Sequence, residues 1–562
     1  MKLKNQLLTL GAMSLLGSSA FAFTHVTADI TTSTQWTTAG SPYILAGQTF
    51  VRGAGTILTI DQGVIVRGQP QSAAGAADAG SLIIRPEAKI QANGTSGTPI
   101  IFTTAALDAG VVAGGAPNGL AQGLSATTLA TRWTPADGDT KYLDSDPANS
   151  PLIPVNSAGL KNTSMWGGLI IAGDSTTNSG KQVDINGDTV LNALDDGFGF
   201  IEGITAGPLA IYGGGNTEHN AGILKYVSLR HGGAALSTGK ELNALTLYAV
   251  GSKTTISFID TYCSGDDGVE IFGGTVNLDH LNLNYSDDDG LDTDEGWQGM
   301  AQFVFVLQGY GYGDNGFELD GEDKLELDTS TFGTPAAANP IGDNRIFNAT
   351  VLMNTQLSAV DPINSNATGA SRAARMRAGW AGQIVNSIFL NYGPVTGTGL
   401  AIDGLKTTGL AAGESAEYGN SARDYFGQGL LQVRNNTVAG FGTNYVAFTN
   451  GTMTQSAAGA ASGTTSSGVV VGGVNYPATQ NATSTGIMIP TPNHTVAGGV
   501  NPRVGPNSGA VINAGNYNSA QSNNYLVSPA ALTSYRGAFD RSAPTLWTFG
   551  WTALNKRGIL AN

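Results

Sequence analysis

Asp267-Gly-Val-Glu270, Asp289-Gly-Leu-Asp292 and Asn315-Gly-Phe-Glu318 repeat one phrase at offsets of 22 and 26 residues. Each follows a strand-like run: Thr255-Ile-Ser-Phe-Ile259, Val276-Asn-Leu-Asp-His-Leu-Asn-Leu283 and Gln302-Phe-Val-Phe-Val-Leu307. The first two runs alternate apolar and polar residues, the period of a strand with one buried face, and the third is a short apolar run of strand length. Units of about 20–26 residues holding several short strands mark a solenoid. Leucine-rich repeats share that period, but their fixed Leu/Asn frame is absent. The fitting reading is all-β: a right-handed parallel β-helix with about three short strands per turn. One turn cannot bury its own apolar face, so only stacking makes a core. Gly and Asn are expected to supply left-handed backbone at the corners. The irregular spacing keeps a sandwich or a propeller as the competing architecture.

The frame extends outward in both directions. Upstream, Leu58-Thr-Ile-Asp-Gln-Gly-Val-Ile-Val-Arg-Gly68 and Leu82-Ile-Ile-Arg-Pro-Glu-Ala-Lys-Ile-Gln-Ala92 match at an offset of 24. Downstream it continues through Asn348-Ala-Thr-Val-Leu-Met353 and Gln383-Ile-Val-Asn-Ser-Ile-Phe389. The β-helix is therefore assigned to residues 23–453, with insertions near 105–162 and 331–341. Residues 454–480, rich in Ala, Gly, Ser and Thr, read as a flexible segment. Residues 481–562 read as a C-terminal capping region, whose aromatic stretch from Tyr535 through Trp547 to Trp551 would cover the open end of the solenoid.

Residues 1–22 have the form of a signal peptide: Lys2 and Lys4, an apolar run from Leu7 to Leu16, then Ala20-Phe-Ala22 as a cleavage site. The expected location is secreted or at the outer cell surface, with the periplasm as a further option. No later stretch reaches 18 apolar residues, so no transmembrane segment is expected. The single cysteine, Cys263, rules out a disulfide framework and reads as a buried small hydrophobe. Glycine, 79 of 562 residues, has no three-residue period, which excludes collagen. An apolar fraction of 41% against 12% charged residues excludes wholesale disorder. A net charge of −15 argues against a nucleic-acid partner.

That charge is concentrated. Residues 184–328 hold 25 Asp+Glu and only 5 Lys+Arg, while the rest of the chain holds 17 acidic and 22 basic residues. If one repeat makes one turn, Asp267, Asp289 and Asn315 form one column and Glu270, Asp292 and Glu318 a second, at the ~4.8 Å strand spacing. Within each phrase the paired residues are three apart, so they share a face only if the glycine bends the chain. Stacked like charges either splay into solvent or enclose a cation. The hard-oxygen donor set favours Ca2+. Zinc has little to bind here, given one Cys and five scattered His. A solvated acidic face and catalytic carboxylates are the two other readings.

For catalysis, a grooved β-helix suits an acidic polysaccharide, and carboxylates roughly 5–9.5 Å apart suit glycoside hydrolysis. Asp266, Asp267, Asp288 and Asp289 are the candidates. A lyase would need a base, for which Arg230 and Lys324 are nearest in sequence. His231, beside Arg230 in Ser228-Leu-Arg-His-Gly-Gly233, serves either an active site or an ordinary strand end. His280 reads as structural. Trp166 and Trp297 either stack on sugar rings or close hydrophobic corners. No serine-nucleophile elbow, phosphate loop or dinucleotide fingerprint is present.

Gly63-Val-Ile-Val-Arg-Gly68, Trp166-Gly-Gly-Leu-Ile-Ile171, Leu224-Lys-Tyr-Val-Ser-Leu-Arg-His-Gly-Gly233, Asp266-Asp-Gly-Val-Glu-Ile-Phe-Gly-Gly274 and Tyr535-Arg-Gly-Ala-Phe539 give the chain a likeness. It resembles the secreted bacterial right-handed parallel β-helix proteins of the pectate-lyase-like superfamily, in particular their uncharacterised surface and extracellular members. The superfamily includes calcium-dependent pectate lyases and polygalacturonases that act through aspartates. A polygalacturonase likeness would map its aspartate pair onto Asp266 and Asp267. The Gly-His-Gly it expects has only His231-Gly-Gly as a counterpart, upstream of the pair. A lyase likeness would use Asp267, Glu270 and Asp289 as calcium ligands, without a basic cluster following. The function expected is therefore an exported, non-catalytic surface, matrix or carbohydrate-binding protein stabilised by calcium, with polysaccharide or cell-surface matrix as partner. A polysaccharide lyase or glycoside hydrolase is the alternative.

Overall fold

The computed structural model describes residues 24–71, 78–105, 163–179, 183, 185, 197–204, 207–237, 240–308, 313–321, 340–353, 371–391, 397–404, 421–434, 436–441, 443–447, 470–471, 474–475, 502–503, 535, 537–540, 542–556 and 560. The signal-peptide assignment, Lys324, the 331–341 insertion up to residue 339 and nearly all of 105–162 lie outside these residues, as does most of 454–480.

One turn of the chain shows the architecture. The strand Thr255–Tyr262 passes a corner at Cys263 and enters the strand Val269–Phe272. After Gly273-Gly274 the chain returns as Asn277–Asn284, in parallel register beside the first strand. Thr255 faces Asn277, which faces Met300, while Leu245 faces Val269, then Leu291, then Phe317 on the second ladder. Among the described residues, repetition yields a parallel sheet of 17 strands and another of ten, and the antiparallel pairings are three two-stranded hairpins, such as Phe198–Phe200 with Ile211–Gly213. This is a parallel β-helix, not a sandwich or a propeller.

The three-sided turn comes from a bend inside the longer strand. Tyr226, Phe258, His280 and Phe303 occupy equivalent places with φ of 49°, 55°, 56° and 59°, and Asn348 and Asn386 follow at 53° and 55°. Asn tolerates this left-handed conformation; a bulkier side chain pays about 1–2 kcal/mol. The aromatic members recover energy by stacking: Tyr226 on Phe258 and Phe258 on His280 at 4.3 Å, His280 on Phe303 at 4.7 Å. Such pairs contribute roughly 0.5–1.5 kcal/mol each. The next corner also uses non-glycine residues, with His231, Cys263 and Tyr285 at φ of 57–63°. Left-handed corners are thus only partly the work of Gly and Asn.

Inside, like stacks on like. Leu224, Ile256, Leu278, Ala301, Ile346, Ile384 and Val433 form one buried column, and Leu245, Val269, Leu291, Phe317, Ala374 and Leu400 another. Each large aliphatic side chain so buried contributes roughly 1.5–3 kcal/mol. Trp166 and Trp297 are fully buried, so they close corners and offer no face to a sugar. Cys263 is a buried free thiol. No described helix is long and apolar enough to cross a membrane.

Two sequence expectations change. The 24-residue frame does not set the N-terminal register. Leu58 faces Ile90, an offset of 32, while Leu82 faces Thr49 and Leu169 on the other ladder. Alternating apolar residues look alike on every side of the coil, so a match in pattern does not identify a match in face. The C-terminal region, expected to cover an open end, instead docks in its described part along the side of the coil. Trp551 sets its edge against Tyr226 and Phe258, and Trp547 against Phe258 and His280. Phe539 stacks on Trp547 and meets Phe305 edge-on. Ala553 N donates to Asp260 Oδ2 at 2.9 Å, and Gly537 N to Asn386 O at 2.8 Å. The aromatic corner is therefore the seat of this segment. Trp551→Ala, removing a side chain that is 0% exposed, is expected to cost about 3–5 kcal/mol in denaturant unfolding. Phe549→Ala, at a position 41% exposed, should stay within about 0.5 kcal/mol of wild type in the same assay.

Candidate functional site

The acidic residues lie on the outer side of the ten-stranded sheet. Register follows one outward column from Phe50 through Ile83, Ile170, Thr246, Glu270, Asp292 and Glu318 to Arg375. Its first part is apolar and sits beneath the hairpin of Phe198–Phe200 and Ile211–Gly213. Ile201 and Tyr212 pack there against Phe50, Ile83, Ile170 and Tyr248. Tyr248 stacks on Phe272 at 4.5 Å, one turn before the carboxylates take over the face.

A second column runs along the corner where the strands begin. Asn243 Oδ1 accepts the Asp267 N–H at 2.9 Å, Asp267 Oδ1 the Asp289 N–H at 2.7 Å, and Asp289 Oδ1 the Asn315 N–H at 2.5 Å. Each side chain fastens the backbone one turn further on. The glycine after each acid is required by space. A Cβ on Gly268 would lie 2.6 Å from Gly290 O, and one on Gly290 would lie 2.7 Å from Gly316 O. The third residue after each acid lies beside it, Glu270 with Asp267 and Asp292 with Asp289.

The columns predicted from the repeat therefore exist, with Asp267, Asp289 and Asn315 in one and Glu270, Asp292 and Glu318 in the other. Their carboxylate oxygens converge in three sets, each lying within 4.8 Å of one another: Asp266, Asp267 and Asp288; Asp267, Glu270 and Asp292; Asp289, Asp292 and Glu318. The corner acids Asp267 and Asp289 do not splay into water, while Asp266, Glu270, Asp288, Asp292 and Glu318 are part-exposed. Asp267 is 5% exposed and Asp289 2%. Burial is the first cause, and neighbouring carboxylates the second, of pKa values pushed well above the ordinary range at Asp266, Asp267, Glu270, Asp289 and Asp292. Asp288 is raised to about 7 by burial and then by Glu318 and Asp314. Asp320, beside Arg377, is raised to about 6, again chiefly by burial.

The donor set fits a hard cation. All contributors are oxygen, and Asp292 Oδ1 and Asn315 Oδ1 are buried with no hydrogen-bond partner. Asn315 is 0% exposed, and its Nδ2 lies 3.3 Å from Asp289 Oδ2 and 3.2 Å from Glu318 Oε1, so the amide sits within the cluster.

The basic candidates point elsewhere. Arg230, 2% exposed, donates from Nε to Ser228 Oγ, which bonds Asp260 Oδ2, the carboxylate that also anchors the C-terminal segment. His231 is a buried corner residue, edge-on to Tyr262. His231 belongs to none of the three carboxylate sets, and Arg230 lies on the 17-stranded sheet rather than the ten-stranded one that carries Glu270, Asp292 and Glu318. Three participants escaped the sequence reading. Asn243 lies 24 residues before Asp267, in the same spacing but followed by Ala. Arg375 and Arg377 lie 57 residues after Glu318 and Asp320, a distance that hides the register. Arg375 Nη1 is 3.1 Å from Glu318 Oε1, Arg377 Nη2 is 2.7 Å from Glu318 Oε2, and Arg377 Nε is 2.6 Å from Asp320 Oδ1.

A family model described as a pectate-lyase like beta helix domain matches residues 28–123 and 143–470. No curated protein and no solved structure matches the chain.

The raised carboxyls fix a pH dependence. The folded chain holds these protons more tightly than the unfolded chain, so as pH rises above about 4 the unfolded state releases them first. Without divalent metal, stability should therefore fall as pH rises toward and through 7. A melting temperature in chelator that is higher at pH 5.5 than at pH 8 is the expected result. Asp289→Asn keeps the acceptor for the Asn315 N–H and removes a charge, so it should stabilise the chelated protein. Asp289→Ala leaves that buried N–H unpaired and should cost about 1–3 kcal/mol in urea unfolding.

Proposed function

The chain belongs to the pectate-lyase-like β-helix family, and from that premise we propose that it is an exported, non-catalytic surface, matrix or carbohydrate-binding protein whose acidic ladder holds calcium. The supporting observation is the use to which the carboxylates are put. Asp267 and Asp289 accept backbone N–H groups of the next turn, fastening consecutive turns of the coil. Calcium among them would offset the mutual repulsion of Asp267, Glu270, Asp289 and Asp292, leaving Asn315 as a neutral oxygen donor and Glu318 at the margin. Arg375 and Arg377 are tied into ion pairs and Arg230 is sealed on a different sheet, while Arg372 faces Asn315 across the next turn. A lyase would need a free base to take a proton from the substrate, and Arg375, Arg377 and Arg230 do not supply it.

A second reading has its own support. Asp266, Asp267 and Asp288 converge, and Asp288, raised to about 7, has the proton affinity of a general acid at neutral pH. That arrangement would serve a hydrolase acting on an acidic polysaccharide.

The deciding experiment screens the chain against acidic and neutral polysaccharides, with and without calcium, recording both retention and product release. Retention without new reducing ends or unsaturated products is expected. Product release that Asp288→Asn abolishes would instead establish the hydrolase. Calcium should raise the melting temperature at pH 7.5 by several degrees, and an unchanged value would remove the metal from the proposal.

A further inference from the structure

The 17-stranded sheet carries a cleft on its first turns, away from the acidic ladder of the ten-stranded sheet. Its volume is about 580 Å³, within the usual range of small-ligand sites. Three consecutive turns line it: Thr38 follows the strand Thr34–Trp36, Thr59, Asp61 and Gln62 belong to the turn of Ile57–Ile60, and Gln91 and Asn93 to the strand Lys89–Asn93. Register holds these turns together, with Gln35 facing Thr59 and Thr59 facing Gln91. Part of the lining is locked in place. Asp61 Oδ1 accepts from Gln35 Nε2 at 2.8 Å, and Gln62 Oε1 accepts from Thr98 Oγ1 at 3.0 Å. Asp61 Oδ2 is left as an acceptor and Gln62 Nε2 as a donor. The side chains of Thr38, Thr59, Gln91 and Asn93 make no hydrogen bond to another described residue. They are part-exposed or exposed, so water serves them in the free chain and a ligand can take its place.

That set of groups discriminates between ligands. The lining holds hydroxyls, carboxamides and one carboxylate, with no lysine, arginine or aromatic ring. A phosphate or a uronate finds no counter-charge there and meets Asp61. Lys225, which faces Asn93 one turn on, lies instead over the rings of Tyr226 and Phe258, its Nζ 5.9 Å from each centroid. An apolar ligand would strand the amides it covered. The adjacent hydroxyls of a neutral sugar match, since a carboxamide both donates to and accepts from them and a carboxylate accepts from two. A sugar ring in an extended chain also advances by about one strand spacing, ~4.8 Å, so successive rings meet successive turns. We propose that this cleft binds a neutral oligosaccharide, extended along the coil axis with one ring to each of the three turns. It gives the carbohydrate-binding reading above a site of its own, apart from the acidic ladder and independent of calcium.

The test is isothermal titration of the full-length chain in chelator with cellotetraose, mannotetraose and xylotetraose, and with tetragalacturonate as the acidic counterpart. At least one neutral probe should bind, more tightly than tetragalacturonate and with the same Kd when calcium replaces the chelator. Gln91→Ala and Asn93→Ala should each raise that Kd about three- to tenfold, and the double variant should lose measurable binding. Neither side chain bonds a described residue, so the melting temperatures should stay at the wild-type value. Binding of a neutral probe that all these variants leave intact would overturn the cleft as its site. Calcium-dependent binding of tetragalacturonate alone would overturn the cleft and leave the carbohydrate-binding reading standing on the acidic ladder. Binding of none of the four probes would overturn both.

Discussion

Parallel stacking in near-constant register is the constraint from which the rest of this molecule follows. Each residue lies about one strand spacing from its counterpart in the next turn, so whatever a position carries is multiplied along the coil. For Leu, Ile and Val this is favourable without qualification, and the interior columns result. For aromatic residues at a left-handed bend it is favourable enough to offset the backbone cost, which is why Tyr226, Phe258, His280 and Phe303 stand where glycine is the usual choice. For carboxylates it is unfavourable, and the structure answers with three devices: backbone donors at the corner, Asn at both ends of that column, and arginines at Glu318 and Asp320.

The magnitudes separate these devices. A carboxylate accepting a buried N–H secures a bond whose loss costs about 1–3 kcal/mol. Two unit charges 4 Å apart repel by about 4 kcal/mol at an effective dielectric of 20. One hydrogen bond per acid is therefore too little to keep all of them ionised, and protonation or a cation must supply the difference. The raised proton affinities of the buried acids and the orphaned oxygen of Asp292 are two expressions of that shortfall.

How much of this was legible depended on uninterrupted spacing. From Asp267 to Asp289 to Asn315 the turns follow at 22 and 26 residues, and the sequence alone placed both acidic columns. Asn243 continues the corner column at the same spacing, but the Ala after it breaks the Gly-containing phrase. Arg375 and Arg377 belong to the very next turn on that sheet, yet 57 residues separate each from its acidic partner. Between Leu58 and Ile90 the lengthened turn let a false offset of 24 look better than the true one of 32. The docking of the C-terminal segment left no periodic trace at all, since its partners lie as far back in the chain as Tyr226 and owe their proximity to the finished coil.

That last contact has a consequence for truncation. The flank at Tyr226, Phe258 and His280 is covered by Trp547 and Trp551, which come from the far end of the chain. A molecule shortened before Trp547 would keep every turn of the coil beneath them and present that flank to water as a greasy seam.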